Sequence, residues 1–259
     1  MRSKLAKELK IPAGDNVLFA GDMHLEKPHS AQARQLLKLL EEGGSPERHL
    51  VLVGDVLYFY FENNFGIVRK FRWLTDALSK AAQHWGSVVF LHGNRDYLAG
   101  EGGHFPKDIH LAGDYLILET SEKRILVTHG DLFLKNNPGY FRFRRFMRSP
   151  LVRWSTRNLP PAMCRFAAHM LRWISFRNNK DKCYEPPDRD KMAEALSDHE
   201  ADALVFGHFH RKMSPEDFPD VNLKAWCVGS WEQERCPMLK YEQGEFVFTD
   251  AISELEQDK

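Results

Sequence analysis

Residues 16–24 read NVLFAGDMH: a short apolar run, Asn16 to Ala20, stopped by Gly21-Asp22-Met23-His24. A run of this length, rich in Val, Leu and Phe, predicts a buried strand, and the glycine after it predicts a sharp turn. The turn delivers a carboxylate and an imidazole, both able to bind metal. The same pattern recurs along the chain. Leu50 to Val53 ends in Gly54-Asp55, and Val88 to Leu91 leads to Gly93-Asn94-Arg95-Asp96. Ile125 to Thr128 gives His129-Gly130-Asp131, and Ala203 to Phe206 gives Gly207-His208-Phe209-His210. One Gly-Asp after a strand is an ordinary turn. Five such turns carrying this set of side chains are not chance.

Between the strands the pattern predicts helices over Ala31 to Glu42, Ile67 to Gln83 and Arg189 to His199. Strand and helix in alternation imply an α/β fold. Open α/β sheets bind ligands beyond the carboxyl ends of their strands, where every one of these motifs sits. At 259 residues the chain suits a single domain, 1–259, with an insertion.

Composition excludes little but is consistent. A hydrophobic fraction of 43% fills a core, and 36 basic against 36 acidic residues favour no particular partner. Cys164, Cys183, Cys227 and Cys236 form no C-x-x-C pair and are expected to be reduced thiols. The start lacks the apolar stretch of a signal peptide, and no run approaches the roughly 18 apolar residues of a spanning helix. A cytoplasmic protein is expected, with residues 250–259 as a loose tail.

Asp22, His24, Asp55, Asn94, His129, His208 and His210 together offer carboxylates, imidazoles and an amide oxygen. That mixture suits Mn, Fe or Zn better than Ca or Mg. With one carboxylate shared, such a set can hold two ions about 4 Å apart and generate hydroxide near neutral pH, so no serine or cysteine nucleophile is needed. His208 and His210, two apart after a strand, are expected on one face. Asp96 and Asp131 are expected to orient ligands. His29, His49, His84, His110, His169 and His199 carry no expectation beyond ordinary surface or core roles.

The motifs G-D-x-H, G-D, G-N-R-D, H-G-D and G-H-x-H, in that order over about residues 16–249, resemble the calcineurin-like metallophosphoesterase superfamily. That resemblance implies an αββα sandwich of two mixed sheets flanked by helices. It implies one ion on Asp22, His24, Asp55 and His210 and another on Asp55, Asn94, His129 and His208, with Mn2+ the foremost candidate.

Most of the superfamily has histidine after G-N; here it is Arg95, whose guanidinium can clamp phosphate or simply pair with a nearby acid. Within the superfamily, H-G-N-R-D-Y-L at His92–Leu98 resembles the UDP-2,3-diacylglucosamine diphosphatases of lipid A biosynthesis. These release UMP and a 2,3-diacylglucosamine 1-phosphate. The resemblance implies catalytic roles for Arg95, Asn94 and Asp55, and a helical cap inserted at about 135–185. It also implies work on the cytoplasmic face of the inner membrane.

The segment between the last two strand motifs bears on this. From Leu132 to Lys180 there is no Asp or Glu, while arginines accumulate among Phe141, Phe143, Phe146, Trp154, Phe166, Trp173 and Phe176. In Pro161 to Arg177, Met163, Phe166, Ala167, Met170 and Ile174 share one helical face. A basic amphipathic helix fits an anionic membrane surface, and equally a partner helix or nucleic acid. Nucleic acid is not the expected partner; the UDP-linked lipid and the membrane are. Ser175, Asn179 and Lys182, spaced i, i+4 and i+7, are similar to the family's substrate-binding residues, as are Tyr140, Asn94, Arg95 and His208. Val228-Gly229-Ser230-Trp231 resembles a late family segment, although Trp231 could equally be core. Two departures mark a divergent branch: Leu57 to Asn64 lacks the family's further acids except Glu62, and Asn137 stands where an aspartate contacting substrate is expected. Oligomeric state is not legible.

Overall fold

The computed structural model describes residues 6–135, 137–178, 185–219, 223–233 and 235–256, with the backbone alone for 171–178. Among the described residues the strands form two six-stranded mixed sheets. One is ordered β12 (Glu245–Asp250), β11 (Pro237–Glu242), β2 (Asn16–Ala20), β3 (Arg48–Leu52), β4 (Ser87–Leu91), β5 (His110–Ala112). The other is ordered β1 (Lys7–Lys10), β6 (Tyr115–Glu119), β7 (Arg124–Thr128), β8 (Ala203–Phe206), β10 (Ala225–Val228), β9 (Lys212–Met213). Strands β2 to β5 pair in parallel, as do β7, β8 and β10, so the motif-bearing ends of each parallel set lie along one edge.

The apolar runs are unbroken because both faces of each sheet are covered. Val17, Phe19, Val51, Val53, Val89 and Leu91 face the second sheet, meeting Leu116, Leu118, Ile125, Val127, Ala203 and Val205. Their alternates Leu18, Leu50, Leu52, Val88 and Phe90 face outward onto α1 (Ala31–Glu42) and α2 (Phe65–Ala81), through Leu36, Leu39, Ile67, Phe71 and Leu74. On the far side Ile117, Leu126, Leu204 and Phe206 are covered by α6 (Arg189–Asp198), through Met192 and Ala195. The result is helix, sheet, sheet, helix. Ser30, Asn64 and Asp188 cap the first turns of α1, α2 and α6.

One feature departs from expectation. Ala251–Glu256 are no loose tail but form α7, with Ala251 and Leu255 buried and Glu254 ion-paired to Arg48 at 2.6 Å. Its apolar residues are too few to show as a period, and its docking depends on an arginine 206 residues away. Between β7 and α6 lie α3 (Pro138–Met147), α4 (Pro150–Asn158) and α5 (Pro161–Asn178), each opened by a proline at its first turn.

Leu57 to Phe61 are buried, and Glu62 beside them is fully buried. Its carboxylate accepts the backbone N–H groups of Gly100, His104 and, at 2.6 Å, Phe105. The acid therefore organises the glycine-rich loop 100–105. Glu62→Ala is expected to cost on the order of 2–4 kcal/mol in urea unfolding, with Glu62→Gln losing less, because charged hydrogen bonds to backbone are lost. An unchanged midpoint for Glu62→Ala would refute this role.

Candidate active site

The loops leaving β2, β3, β4, β7 and β8 converge where the carboxyl edges of the two sheets meet, and they are bonded to one another. Asp22 N–H donates to Gly54 O at 3.1 Å, and His24 N–H to Asp55 O at 3.0 Å. Arg95 N–H donates to Asp55 Oδ1 at 3.0 Å, and His208 N–H to Asp22 Oδ2 at 2.6 Å. The glycines of the motifs permit this closeness. A Cβ on Gly93 would lie 2.2 Å from Asp55 Oδ1, and one on Gly207 2.6 Å from Asp22 Oδ2.

Among the described residues seven that are not glycine have positive φ, and five of them are Asp22, His24, Asp55, His208 and His210. Left-handed backbone costs such residues roughly 1–3 kcal/mol each and concentrates at functional sites. It also corrects the strand-based reading of His208 and His210. Strand β8 ends at Phe206, and both histidines sit at φ 71° and 56° in the turn beyond it. Their rings reach different histidines. His208 Nδ1 lies 3.3 Å from His129 Nε2, while His210 Nε2 lies 3.2 Å from His24 Nε2.

Asp22 and Asp55, both buried, form the centre. Asp22 Oδ1 is 3.5 Å from His210 Nε2, Asp55 Oδ1 is 3.7 Å from His129 Nε2, and Asp55 Oδ2 is 3.8 Å from His24 Nδ1. Potential ligand atoms of Asp22, His24 and His210 all lie within 4.8 Å of one another, as do those of Asp22, Asp55 and His129. His129 Nδ1 is hydrogen-bonded to Val53 O at 3.0 Å, which leaves Nε2 for the site. Half-buried Asn94 reaches the Tyr140 hydroxyl.

The donors fit divalent cations on two further observations. Asp22 Oδ1 and His24 Nδ1 are buried without a hydrogen bond, a costly state that a cation relieves. The charges are also mutually dependent. Burial acts to raise Asp22, but His210, 3.5 Å away, and the field of His129 and His24 hold it far below the usual carboxylate range. Burial keeps Asp55 raised. Burial also acts to lower His129, but Asp55 and Asp22 drive it up to about 9. Burial and the neighbouring His129 push His208 down to about 4.

Asp96 accepts N–H bonds from Val56, Leu57 and Gly93, stitching the Asp55 loop to the Asn94 loop. Burial, reinforced by Asp55, raises it to about 7. Asp131 accepts from the Tyr140 hydroxyl at 2.6 Å and from Arg144 Nε at 2.7 Å. Arg144 and Arg148 also hold Asp114 Oδ1, at 2.6 and 2.7 Å. Two of the accumulated arginines therefore bind acids of the body, which sequence alone could not assign. Tyr140 sits at the site, its ring 6.2 Å from that of His208. Asn137 accepts the Tyr140 N–H and so caps α3. Trp231 is core, 4% exposed; its backbone N–H donates to Asp22 O at 3.3 Å and its indole N–H to Pro237 O at 2.9 Å. The side chain of Ser175, and Asn179 and Lys182 altogether, lie outside the described residues.

Arg95 Nε pairs with Asp55 Oδ2 at 3.2 Å, and its guanidinium lies 5.6 Å from the centre of the Tyr58 ring. Tyr58, Glu26 and Asp114 are neighbours of the site that the sequence reading passed over. Only the position of Tyr58 soon after Gly54-Asp55 hinted at any of them.

The two-sheet sandwich with this cluster at its carboxyl edge is the frame of a phosphoesterase, and the chain belongs to the calcineurin-like phosphoesterase family, whose model matches residues 16–212. The family implies divalent metals. Among curated relatives, UDP-2,3-diacylglucosamine hydrolase of Pseudomonas aeruginosa is 27% identical over 222 residues, covering 85% of this chain and 92% of that protein. The enzyme of the same name from Pseudomonas putida (strain W619) is 29% identical over 200 residues, covering 75% and 82%. A solved Vps29 mutant from Entamoeba histolytica aligns at TM-score 0.45 and 13% identity, covering 91% of this chain and 98% of that one.

Proposed function

We propose that the protein hydrolyses the diphosphate of UDP-2,3-diacylglucosamine, releasing UMP and 2,3-diacylglucosamine 1-phosphate. The observation that carries this reading is the similarity, at 27% identity, to a UDP-2,3-diacylglucosamine hydrolase over 85% of the chain. The arginine that follows Gly93-Asn94 supports it, because it lies at the cluster edge where a guanidinium can clamp a phosphate.

Asp22, His24, Asp55 and His210 would hold one divalent ion and Asp55, Asn94, His129 and His208 the other, Mn2+ being the candidate of choice. Such ions supply hydroxide from water near neutral pH and offset charge on the phosphoryl oxygens. This chain's own residues do the rest. Arg95 binds the diphosphate oxygens and takes up the charge that grows during displacement. Asn94 and His208 orient the same group, with Tyr140 held against Asp131 to wall the site. The departing group is itself a phosphate, weakly basic, so little proton donation is required.

The helices α3 to α5 would form a cap, with Ser175, Asn179, Lys182 and Asn137 as further substrate contacts. Phe143, Phe146, Leu151, Trp154, Met163, Phe166 and Met170 are exposed there. An apolar, arginine-bearing surface of this kind suits acyl chains and the cytoplasmic face of an anionic membrane. Among the described residues no helix is long and apolar enough to cross it.

The test is turnover with manganese of UDP-2,3-diacylglucosamine beside UDP-N-acetylglucosamine. Release of UMP from the diacylated substrate alone supports the proposal. Hydrolysis of a simple phosphate ester without any cleavage of the lipid rejects it while leaving a phosphoesterase.

A further inference from the structure

On α5, His169 contacts two residues beside the site, Tyr58 and Glu26. Its side chain is 50% exposed, so packing does not explain its direction. Its Nδ1 is hydrogen-bonded to the Tyr58 hydroxyl at 3.1 Å, and the two rings lie 5.1 Å apart, tilted by 38°. Its Nε2 lies 3.7 Å from Glu26 Oε1, an oxygen that also takes Lys70 Nζ at 3.0 Å.

Tyr58 in turn is fixed from below. It is 6% exposed, and its N–H donates to Leu25 O at 2.9 Å. Over its ring lies the Arg95 guanidinium, and the Arg95 carbonyl accepts the Tyr60 N–H at 3.0 Å. A chain of contacts therefore runs from α5 through Tyr58 to Arg95, and from Arg95 to Asp55.

We infer that His169 and Tyr58 are positioning residues for Arg95: the cap helix, by holding the Tyr58 hydroxyl, sets the plane on which the guanidinium stacks and so its aim at the substrate phosphate. The inference rests on the reading of Arg95 as the phosphate clamp. The physical reason is that a guanidinium over an aromatic face is held only weakly, too weakly to fix a long side chain if the ring itself can tip. Small displacements of a clamping group cost much more in rate than in stability. Arg95 reads the phosphate whatever the rest of the substrate is, so the effect extends to small esters.

The experiment is a double-mutant cycle on kcat/KM for bis(p-nitrophenyl) phosphate, repeated with the diacylated substrate. His169→Ala and Tyr58→Phe are each expected to lower kcat/KM about tenfold in the wild-type background and by less than about twofold in Arg95→Ala. His169→Asn, which keeps a polar atom near the place of Nδ1, restores the rate to within about threefold. A structural role alone would instead lower the melting temperature and give losses that multiply with Arg95→Ala. Independent of turnover, the Nε–H NMR signal that vanishes in Arg95→Lys is expected to broaden or shift in His169→Ala. An unmoved signal, multiplying losses, or wild-type rates in His169→Ala would each overturn the inference. Cleavage of the small ester without the lipid rejects the proposed substrate and leaves the cycle decisive.

Discussion

Asp55→Asn is expected to lower turnover by roughly a thousandfold or more in manganese-replete buffer while leaving the fold intact. Residues that merely orient metal ligands are worth about 10- to 100-fold, so a carboxylate placed between both halves of the cluster should exceed that range. Asparagine is the informative substitution. Asp55 sits at φ 50°, where Asn is tolerated but alanine adds backbone strain to the loss of the carboxylate. Asn also keeps an oxygen for the Arg95 N–H, so the loop carrying Asn94 stays in register. Steady-state kinetics with far-UV circular dichroism as the folding control decide the matter. Turnover within tenfold of wild type would falsify the assignment of Asp55 as the shared ligand.

The second large effect is on stability. A protein that buries Asp22 and Asp55 beside His24, His129, His208 and His210 at the distances found here should gain strongly from divalent cations. At 100 to 1,000 times its dissociation constant, one ion contributes roughly 2.7–4.1 kcal/mol. For a chain of this size that is a rise of about 5–15 °C in melting temperature. Scanning calorimetry of chelator-treated protein with and without millimolar Mn2+ measures it. The same scan on Asp55→Asn should show most of the rise gone. A wild-type protein that melts at one temperature in both buffers holds no metal in this cluster.

Much of the site was legible because strand, glycine and ligand are local in sequence. Each of β2, β3, β4, β7 and β8 is an apolar run within two residues of its expected bounds. Both faces are buried, so hydrophobicity marks them without ambiguity. The weaker strands were silent for the opposite reason. Strands β1, β5 and β12 lie at sheet edges with partly exposed residues, and β9 has two residues. Their existence depends on a neighbour to pair with. Glu62 shows the same limit within the site's surroundings. As a sequence symbol it was a leftover acid in a divergent stretch, whereas in space it is a buried acceptor for a loop some forty residues later.

By itself the sequence determined the chemistry: which carboxylates, imidazoles and amide leave the strand ends, in an order of motifs that resembles the calcineurin-like phosphoesterases. It could do so because a strand followed by glycine places its next side chain at the sheet edge wherever the chain is folded. The tertiary structure alone decided how those side chains share partners. His208 turns to His129 and His210 to His24 because left-handed backbone, not strand periodicity, aims them. It also decided that Arg144 and Arg148 belong to Asp131 and Asp114, and that His169 reaches Tyr58 across 111 residues. Such pairings carry no local signal, since the energy that selects them arises only when packed sheets and helices bring distant charges and rings into contact.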